Sequence, residues 1–461
     1  MCGGPLDRSI ETGVAAEVGC VDVQSTPIQM NYPRLLSFLL CCLCAATRAA
    51  DAPVRPKQDA NGNPIRYAAT GHASNYDEAK VGHYTLPDPL VFRSGEKVRD
   101  AAAWTNRRRP EIVKLYEDEI FGRVPVTAPK STVEVIEAGT SVLDGAATRK
   151  HLVLRLGDKA DGPKVNVVVY LPAKASPQAP VPLLLHTVFF GGLPSTTPAE
   201  TPAGTTKAPP RETGPVADFI ARGYAYATFR YTEIEGDRAD TSLGGVRRLA
   251  LAAGQEKPAS GEWGTIAAWS WGTSRVLDAL AAERAIDARR VGFIGHSRLG
   301  KTALWAGAND ARIAVVFASC SGELGASLAR RDYGESLDDV AANFPWWFTD
   351  RFQKFSGHWN DMPVDSHLLI ALSAPRPVFV TGGTQDQWAD PRGEFLAQVA
   401  AGPVYRLLGK KDLGTEQLPA LDVPLIAGDL GFLYHTGGHT IAPGDWAAFL
   451  EFAGRTLRPM P

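Results

Sequence analysis

Val291-Gly-Phe-Ile-Gly-His-Ser-Arg-Leu-Gly-Lys301 is the stretch on which the reading of this chain turns. A short apolar run ends in glycine, presents one serine, and continues into Thr302-Ala-Leu-Trp-Ala-Gly-Ala308, which has the composition of a helix. Strand, tight turn and helix in that order put Ser297 at the apex. Its Oγ is then exposed at the carboxyl edge of a sheet, with a helix N-terminus behind it. Gly295 and Gly300 supply small residues where backbones must approach closely. The usual form is Gly-x-Ser-x-Gly; here the second glycine falls one residue late. A βα turn whose serine merely caps its helix has the same local pattern, so the surrounding chain has to separate the two.

On the N-terminal side of this stretch, residues 263–282 read as an apolar helix carrying Ile266, Trp269, Val276, Leu277 and Leu280. Before it, residues 131–138, 151–156, 165–171, 182–188 and 223–231 alternate or run apolar with β-branched residues, as strands do. Residues 216–222 read as a short helix, and residues 100–121 as a longer one that Gly122 stops. The basic run Arg107-Arg-Arg109 on that helix is read as a solvated face or as structural ion pairs. On the C-terminal side, residues 313–318, 376–382 and 432–434 read as strands, and 445–457 as a closing amphipathic helix. Strands alternating with helices predict an α/β fold, a mostly parallel sheet covered on both faces. Residues 193–215 and 237–260 lack periodicity and read as insertions at the carboxyl edge. Residues 51–95, polar and rich in proline, glycine and asparagine, read as an N-terminal arm on the surface of a domain spanning 96–461.

The N-terminus carries the pattern of a secretion signal. Met30-Asn-Tyr-Pro-Arg34 offers a start and a positive charge, residues 35–46 an apolar stretch, and Thr47-Arg-Ala-Ala50 small residues for cleavage. Residues 1–50 are therefore expected to be absent from the mature protein, with the signal at 30–50. Secretion to a bacterial periplasm or beyond is expected. The apolar stretch is too short to span a bilayer comfortably. Five of the 6 cysteines precede residue 50, so Cys320 is alone in the body and no intramolecular disulfide can form there. A net charge of −2 favours neither nucleic acid nor an anionic membrane as partner. No His-Glu-x-x-His or paired-cysteine motif supports a metal, and no dinucleotide or phosphate-loop pattern supports a cofactor. A monomer is expected.

A nucleophilic serine needs a base, and the base needs an orienting acid, in the chain order serine, acid, histidine. His439 follows the last strand in the loop Thr436-Gly-Gly-His-Thr440, where two glycines let the chain turn back over the sheet edge. His435 competes with it but falls at the strand end. Asp386 follows the strand 376–382 at a suitable distance and is preferred as the acid. Asp390 precedes proline and reads equally as a helix cap, and Glu323 follows the preceding strand. The backbone N–H of Arg298, and its guanidinium, are candidates for the oxyanion hole. Lys301, one helical turn beyond Ser297, suits an anionic or hydroxyl-rich substrate or an internal ion pair.

From about residue 85 to the C-terminus the chain resembles the glucuronoyl esterases, carbohydrate esterase family 15. The resemblance is carried by Leu86-Pro-Asp-Pro-Leu90, Arg107-Arg-Arg-Pro-Glu111 and Phe121-Gly-Arg-Val124. It continues through Gly295-His-Ser-Arg-Leu-Gly-Lys-Thr-Ala-Leu-Trp-Ala306, Asn343-Phe-Pro345, Leu369-Ile-Ala-Leu372, Ala374-Pro-Arg-Pro377, Trp388-Ala-Asp-Pro391 and Gly437-Gly-His439. The family's Gly-x-Ser-Arg-x-Gly form accounts for the late glycine. The resemblance implies an α/β-hydrolase serine esterase that cleaves esters of glucuronic or 4-O-methylglucuronic acid on xylan, including links to lignin alcohols. It implies Ser297 as nucleophile, His439 as base and Arg298 at the oxyanion. It further implies that Lys301, Glu335 and Trp388 bind the sugar.

One departure stands out. Many members carry the catalytic glutamate before Ser-Gly, after the strand that follows the nucleophile; here that place is Ala318-Ser-Cys-Ser-Gly322, with Cys320 in the acid's position. A neutral thiol gives a histidinium no paired charge. Some bacterial members carry an acid after the next strand, and Asp386 matches that location. Two other readings stand beside the first: an acetyl xylan esterase, and a carbohydrate-binding protein on a degenerate hydrolase scaffold, for which Cys320 is the main support.

Overall fold

A computed structural model describes residues 56–126, 128–157, 162–190, 214–240 and 244–458. The expected signal at 30–50 and nearly all of the expected loop at 193–215 lie outside these residues. The described strands are β1 (Ser131–Val142), β2 (Ala147–Leu156), β3 (Lys164–Pro172), β4 (Val181–Val188) and β5 (Ala225–Arg230). They continue with β6 (Ile286–His296), β7 (Ile313–Ser319), β8 (Val378–Gly383) and β9 (Leu430–His435). All lie in one sheet, in the order β1-β2-β3-β5-β4-β6-β7-β8-β9. From β5 to β9 every neighbouring pair is parallel, as the alternation of strands and helices predicts. β1, β2 and β3 add an antiparallel edge that joins through β3 and β5.

The parallel strands are buried on both faces, which is why they read as continuous apolar runs. β4 is buried along its whole length. Its side chains still alternate: Leu183 and Leu185 pack into one core, and Leu184 into the other. The larger core lies under the helices Thr265–Ala281, Arg298–Asn309 and Pro391–Leu407, which contribute Ile266, Leu299 and Phe395 among others. The smaller lies under Val216–Ala221 and the closing helix Pro443–Leu457, where Phe317, Phe379, Trp446 and Phe449 meet. Phe317 and Phe449 stack at 4.7 Å between ring centroids.

The first two strands and one helical region differ from their expected extents. β1 and β2 run longer than their apolar signals because the hairpin pairs polar residues such as Thr140 with Arg149, and ladder hydrogen bonds need no hydrophobic pattern. The helical region of 101–119 contains a wider turn at Trp104–Arg108 just before Pro110, a residue without an N–H to give. The arginines there are structural. Arg107 pairs with Glu96 at 2.8 Å, Arg108 with Glu111 at 2.6 Å, and Arg109 donates to the Leu372 carbonyl at 3.1 Å.

The N-terminal arm, from residue 56 on, lies against the catalytic edge. Asn75 donates to the Asp332 carbonyl at 2.6 Å and accepts at its own carbonyl from Gly334 at 2.8 Å. His72 contacts Asp332 at 2.8 Å, and Thr70 bonds Asp338 at 2.7 Å. The arm is thus fastened to the loop that carries Glu335.

Candidate active site

β6 delivers the chain to Ser297, and the helix Arg298–Asn309 leaves from it. Ser297 has φ 58° and ψ −130°, a conformation that ordinary residues avoid and that turns the Oγ out of the sheet edge. A Cβ at Gly295 would stand 2.0 Å from the Leu299 carbonyl oxygen, so only glycine permits so sharp a turn. At Gly300 it would meet Ser321 Cβ at 2.6 Å, which explains the late glycine as a close approach to the β7 end. The Ser297 N–H donates to the Ser319 carbonyl at 2.8 Å and ties the turn to β7. A serine that only capped its helix would accept from the first helical turn; Ser297 makes no such bond.

His439 and Asp386 meet as expected. The Nδ1 of His439 lies 2.6 Å from Asp386 Oδ2, the length of a charge-assisted hydrogen bond. Asp386 is nearly buried at 6 % side-chain exposure, whereas His439 is 44 % exposed and open to the cleft. Ser297 lines the same cleft and makes no hydrogen bond to His439 among the described residues, a contact that commonly closes only on substrate. His435 is withdrawn from the site. It is buried, with Nδ1 3.1 Å from Asp445 and Nε2 3.3 Å from the Gly438 carbonyl. It thereby holds the loop that carries His439. Burial lowers the pKa of His435, but the Asp445 carboxylate outweighs it and the net shift is upward.

The other acids have other tasks. Asp390 is buried and caps the helix Pro391–Leu407, accepting from the Gly393 N–H at 2.9 Å and from Arg331 Nε at 2.9 Å. Burial raises its pKa to about 6. Glu323 is buried, its Oε1 without a hydrogen-bond partner among the described residues, and burial pushes its pKa well up. It makes no bond to His439. Cys320 is also buried, at φ 45°, with its thiol directed to the Thr440 carbonyl at 3.8 Å. Its Sγ, a ring nitrogen of His439 and an oxygen of Asp386 all lie within 4.8 Å of one another. Burial and the neighbouring Asp386 charge raise the thiol's pKa, so it stays neutral. A metal would need that thiol ionised and the short Asp386–His439 bond opened. The three residues fit a histidine and its acid better than an ion.

Lys301 is 2 % exposed and lines the cleft, where its Nζ donates to the Ser321 carbonyl. Burial lowers its pKa; Glu335, Glu323 and Glu394 act in the opposite direction. Among the described residues it makes no ion pair within 4.0 Å, although the charges of those three glutamates act on it. Glu335 and Trp388 line the cleft too, joined by a backbone bond of 2.8 Å from the Glu335 N–H to the Trp388 carbonyl. The whole cleft has a volume of about 310 Å³.

Two contributors were not visible in the sequence. Asp237, seven residues beyond the end of β5, forms an ion pair with the Arg298 guanidinium and accepts from Trp346 Nε1 at 2.9 Å and Trp347 Nε1 at 2.7 Å. Arg298 is further enclosed by the rings of Phe189, Phe344 and Trp347, at 5.5, 5.6 and 4.9 Å from centroid to guanidinium carbon. Its Nε–H has no hydrogen-bond partner among the described residues. An acid beyond a parallel strand's carboxyl end was the available signal for Asp237, but it lies in an aperiodic insertion. Arg66 of the arm is the second, and it too lines the cleft.

A fold with this elbow, and a histidine paired to an acid at the sheet edge, defines the class: an α/β-hydrolase serine esterase. A family model described as "Glucuronyl esterase, fungi" matches residues 206–409. A carbohydrate esterase from an unknown prokaryotic organism is 38% identical over 396 residues, covering 82% of this chain and 91% of that protein. A glucuronoyl esterase from Solibacter usitatus is 42% identical, with a TM-score of 0.75, covering 82% of this chain and 100% of that one. A promiscuous esterase of carbohydrate esterase family 15 from a marine bacterial metagenome is 37% identical, with a TM-score of 0.74, covering 83% and 100%. The chain belongs to the glucuronoyl esterases, carbohydrate esterase family 15.

Proposed function

We propose that this protein hydrolyses esters of glucuronic and 4-O-methylglucuronic acid through Ser297, His439 and Asp386. Ser297 Oγ attacks the ester carbonyl while His439 takes its proton. The negative charge that develops on the carbonyl oxygen is held by the Arg298 backbone N–H and by its guanidinium, which the Asp237 pair and three rings keep in place. Asp386 orients His439 and stabilises the imidazolium. The alcohol leaves with the proton from His439, and an acyl-enzyme remains. Water, deprotonated by His439, attacks the acyl carbon and restores Ser297 as the uronate departs. Lys301, Glu335 and Trp388 bind the sugar's hydroxyls and ring, and select a uronoyl ester over a simple one.

The observation that carries this reading is the 2.6 Å bond between His439 and Asp386 in a cleft that Ser297 and Lys301 also line. It is tested with benzyl glucuronate. Wild type is expected to release benzyl alcohol, and Ser297→Ala to lose roughly 10⁴-fold or more in kcat. Equal rates for the two would overturn the proposal. The natural substrate on this reading is glucuronoxylan joined to lignin alcohols, met by a secreted monomer whose signal occupies residues 30–50.

A second reading, hydrolysis of acetyl esters on xylan, has one observation behind it: the marine family member at 37% identity is described as promiscuous. Higher kcat/KM on acetylated xylo-oligosaccharides than on benzyl glucuronate would favour it.

A further inference from the structure

Arg66 belongs to the N-terminal arm, far in sequence from every other residue of the cleft. Its guanidinium carbon lies 4.6 Å from the centroid of the Trp388 ring. The side chain is exposed, and it makes no hydrogen bond or ion pair among the described residues. Its backbone is held firmly: the N–H donates to Ser74 Oγ at 3.0 Å, and the carbonyl accepts from the Ser74 N–H at 3.0 Å. Tyr67 and Ala73 bridge immediately beside it. The same arm is fastened to the loop of Glu335 through Asn75 and His72. Glu335 also feels the charge, since Lys301 and then Arg66 oppose the effect of burial on its carboxyl group.

A guanidinium stacked on an indole keeps its N–H donors directed outward, in its own plane. Five donors with no hydrogen-bond partner among the described residues, on a pinned backbone and at the wall of a substrate cleft, are placed for hydroxyl and ring oxygens. The geometry points to Arg66 as a substrate-binding residue, which reaches from the arm to hydrogen-bond the sugar of the uronoyl ester beside Trp388 and Glu335. Its contacts are with the sugar and not with the alcohol, because its neighbours in the cleft are the residues assigned to the sugar. This inference rests on the uronoyl-esterase reading above and extends it to a part of the chain outside the hydrolase core. The arm thereby becomes part of the specificity apparatus.

The experiment compares wild type, Arg66→Ala and Arg66→Gln on methyl glucuronate, benzyl glucuronate and p-nitrophenyl acetate. Arg66→Ala is expected to raise KM for both uronate esters alike, by about tenfold, as for loss of one charged hydrogen bond. kcat on them, and turnover of p-nitrophenyl acetate, are expected to stay near wild type. Arg66→Gln, which keeps two donors and the surface polarity, is expected to fall between the two and serves if the alanine variant does not fold. An unchanged KM for both uronate esters overturns the inference. So does an equal loss on the acetate, which would mean a distorted cleft, or a loss confined to the benzyl ester, which would mean an alcohol contact. If wild type itself leaves the uronate esters intact, the functional reading has failed rather than this one.

Discussion

The ends of β7 and β8 are neighbouring strand ends at the same sheet edge, and each offers a side chain to His439. At the end of β7 the residue is Cys320, buried and neutral, with its thiol turned to the Thr440 carbonyl. At the end of β8 it is Asp386, also buried, bonded to His439 at 2.6 Å. Both positions lie within reach of the same imidazole. The two strand ends reach one imidazole, and of the two only the β8 end offers it a carboxylate. Because adjacent parallel strands end side by side, an acid placed at the β7 end is expected to reach the same base.

The largest effect is expected from removing the carboxylate at β8. Asp386→Asn should lower kcat on benzyl glucuronate by about 10³–10⁴-fold, since the imidazolium loses its paired charge and correct tautomer. Glu323→Gln, by contrast, should stay within about tenfold, because Glu323 makes no bond to His439. The reverse ranking would reassign the acid. A sharper form of the comparison puts the acid back at β7. Cys320→Glu in the Asp386→Asn background should recover on the order of tenfold in kcat, as a carboxylate again faces the ring. No recovery would show that only the β8 end can serve.

Within the β8 loop itself, two aspartates four residues apart should separate cleanly. Asp390→Ala removes a helix cap and leaves Arg331 without its buried partner. It should therefore lower stability by about 2–4 kcal/mol while leaving turnover by the folded enzyme nearly unchanged. Thermal unfolding followed beside kcat would read both quantities. A large fall in kcat with no change in Tm would give Asp390 a catalytic part instead.

The parallel half of the sheet was legible because its strands are buried on both faces, and burial writes an uninterrupted apolar run. The β1–β2 hairpin was only partly legible, since its outer residues are exposed and nothing but backbone pairing sets their extent. The same contrast runs through the site. Ser297 and His439 announce themselves through glycines that permit unusual turns. Asp386 was preferred by its distance from a strand end, against two other acids that composition could not exclude. Asp237 and Arg66 gave no periodic signal, because each is placed by a partner remote in sequence: Arg298 for one, Trp388 for the other.

By itself the sequence determined the hydrolase fold, the serine elbow, the order of serine, acid and histidine, and the absence of an acid at the position of Cys320. The elbow is a property of local spacing, in which a strand, a turn and a helix leave their marks within a few residues; the place of Cys320 is read from the family resemblance. Only the tertiary structure decided that Asp386 meets His439 while Asp390 caps a helix and Glu323 lies apart, that Asp237 holds Arg298, and that an N-terminal arm puts a cation beside Trp388. Each of those depends on where strand ends and loops arrive in space, and a hydrogen bond is made or missed over distances that no spacing along the chain encodes.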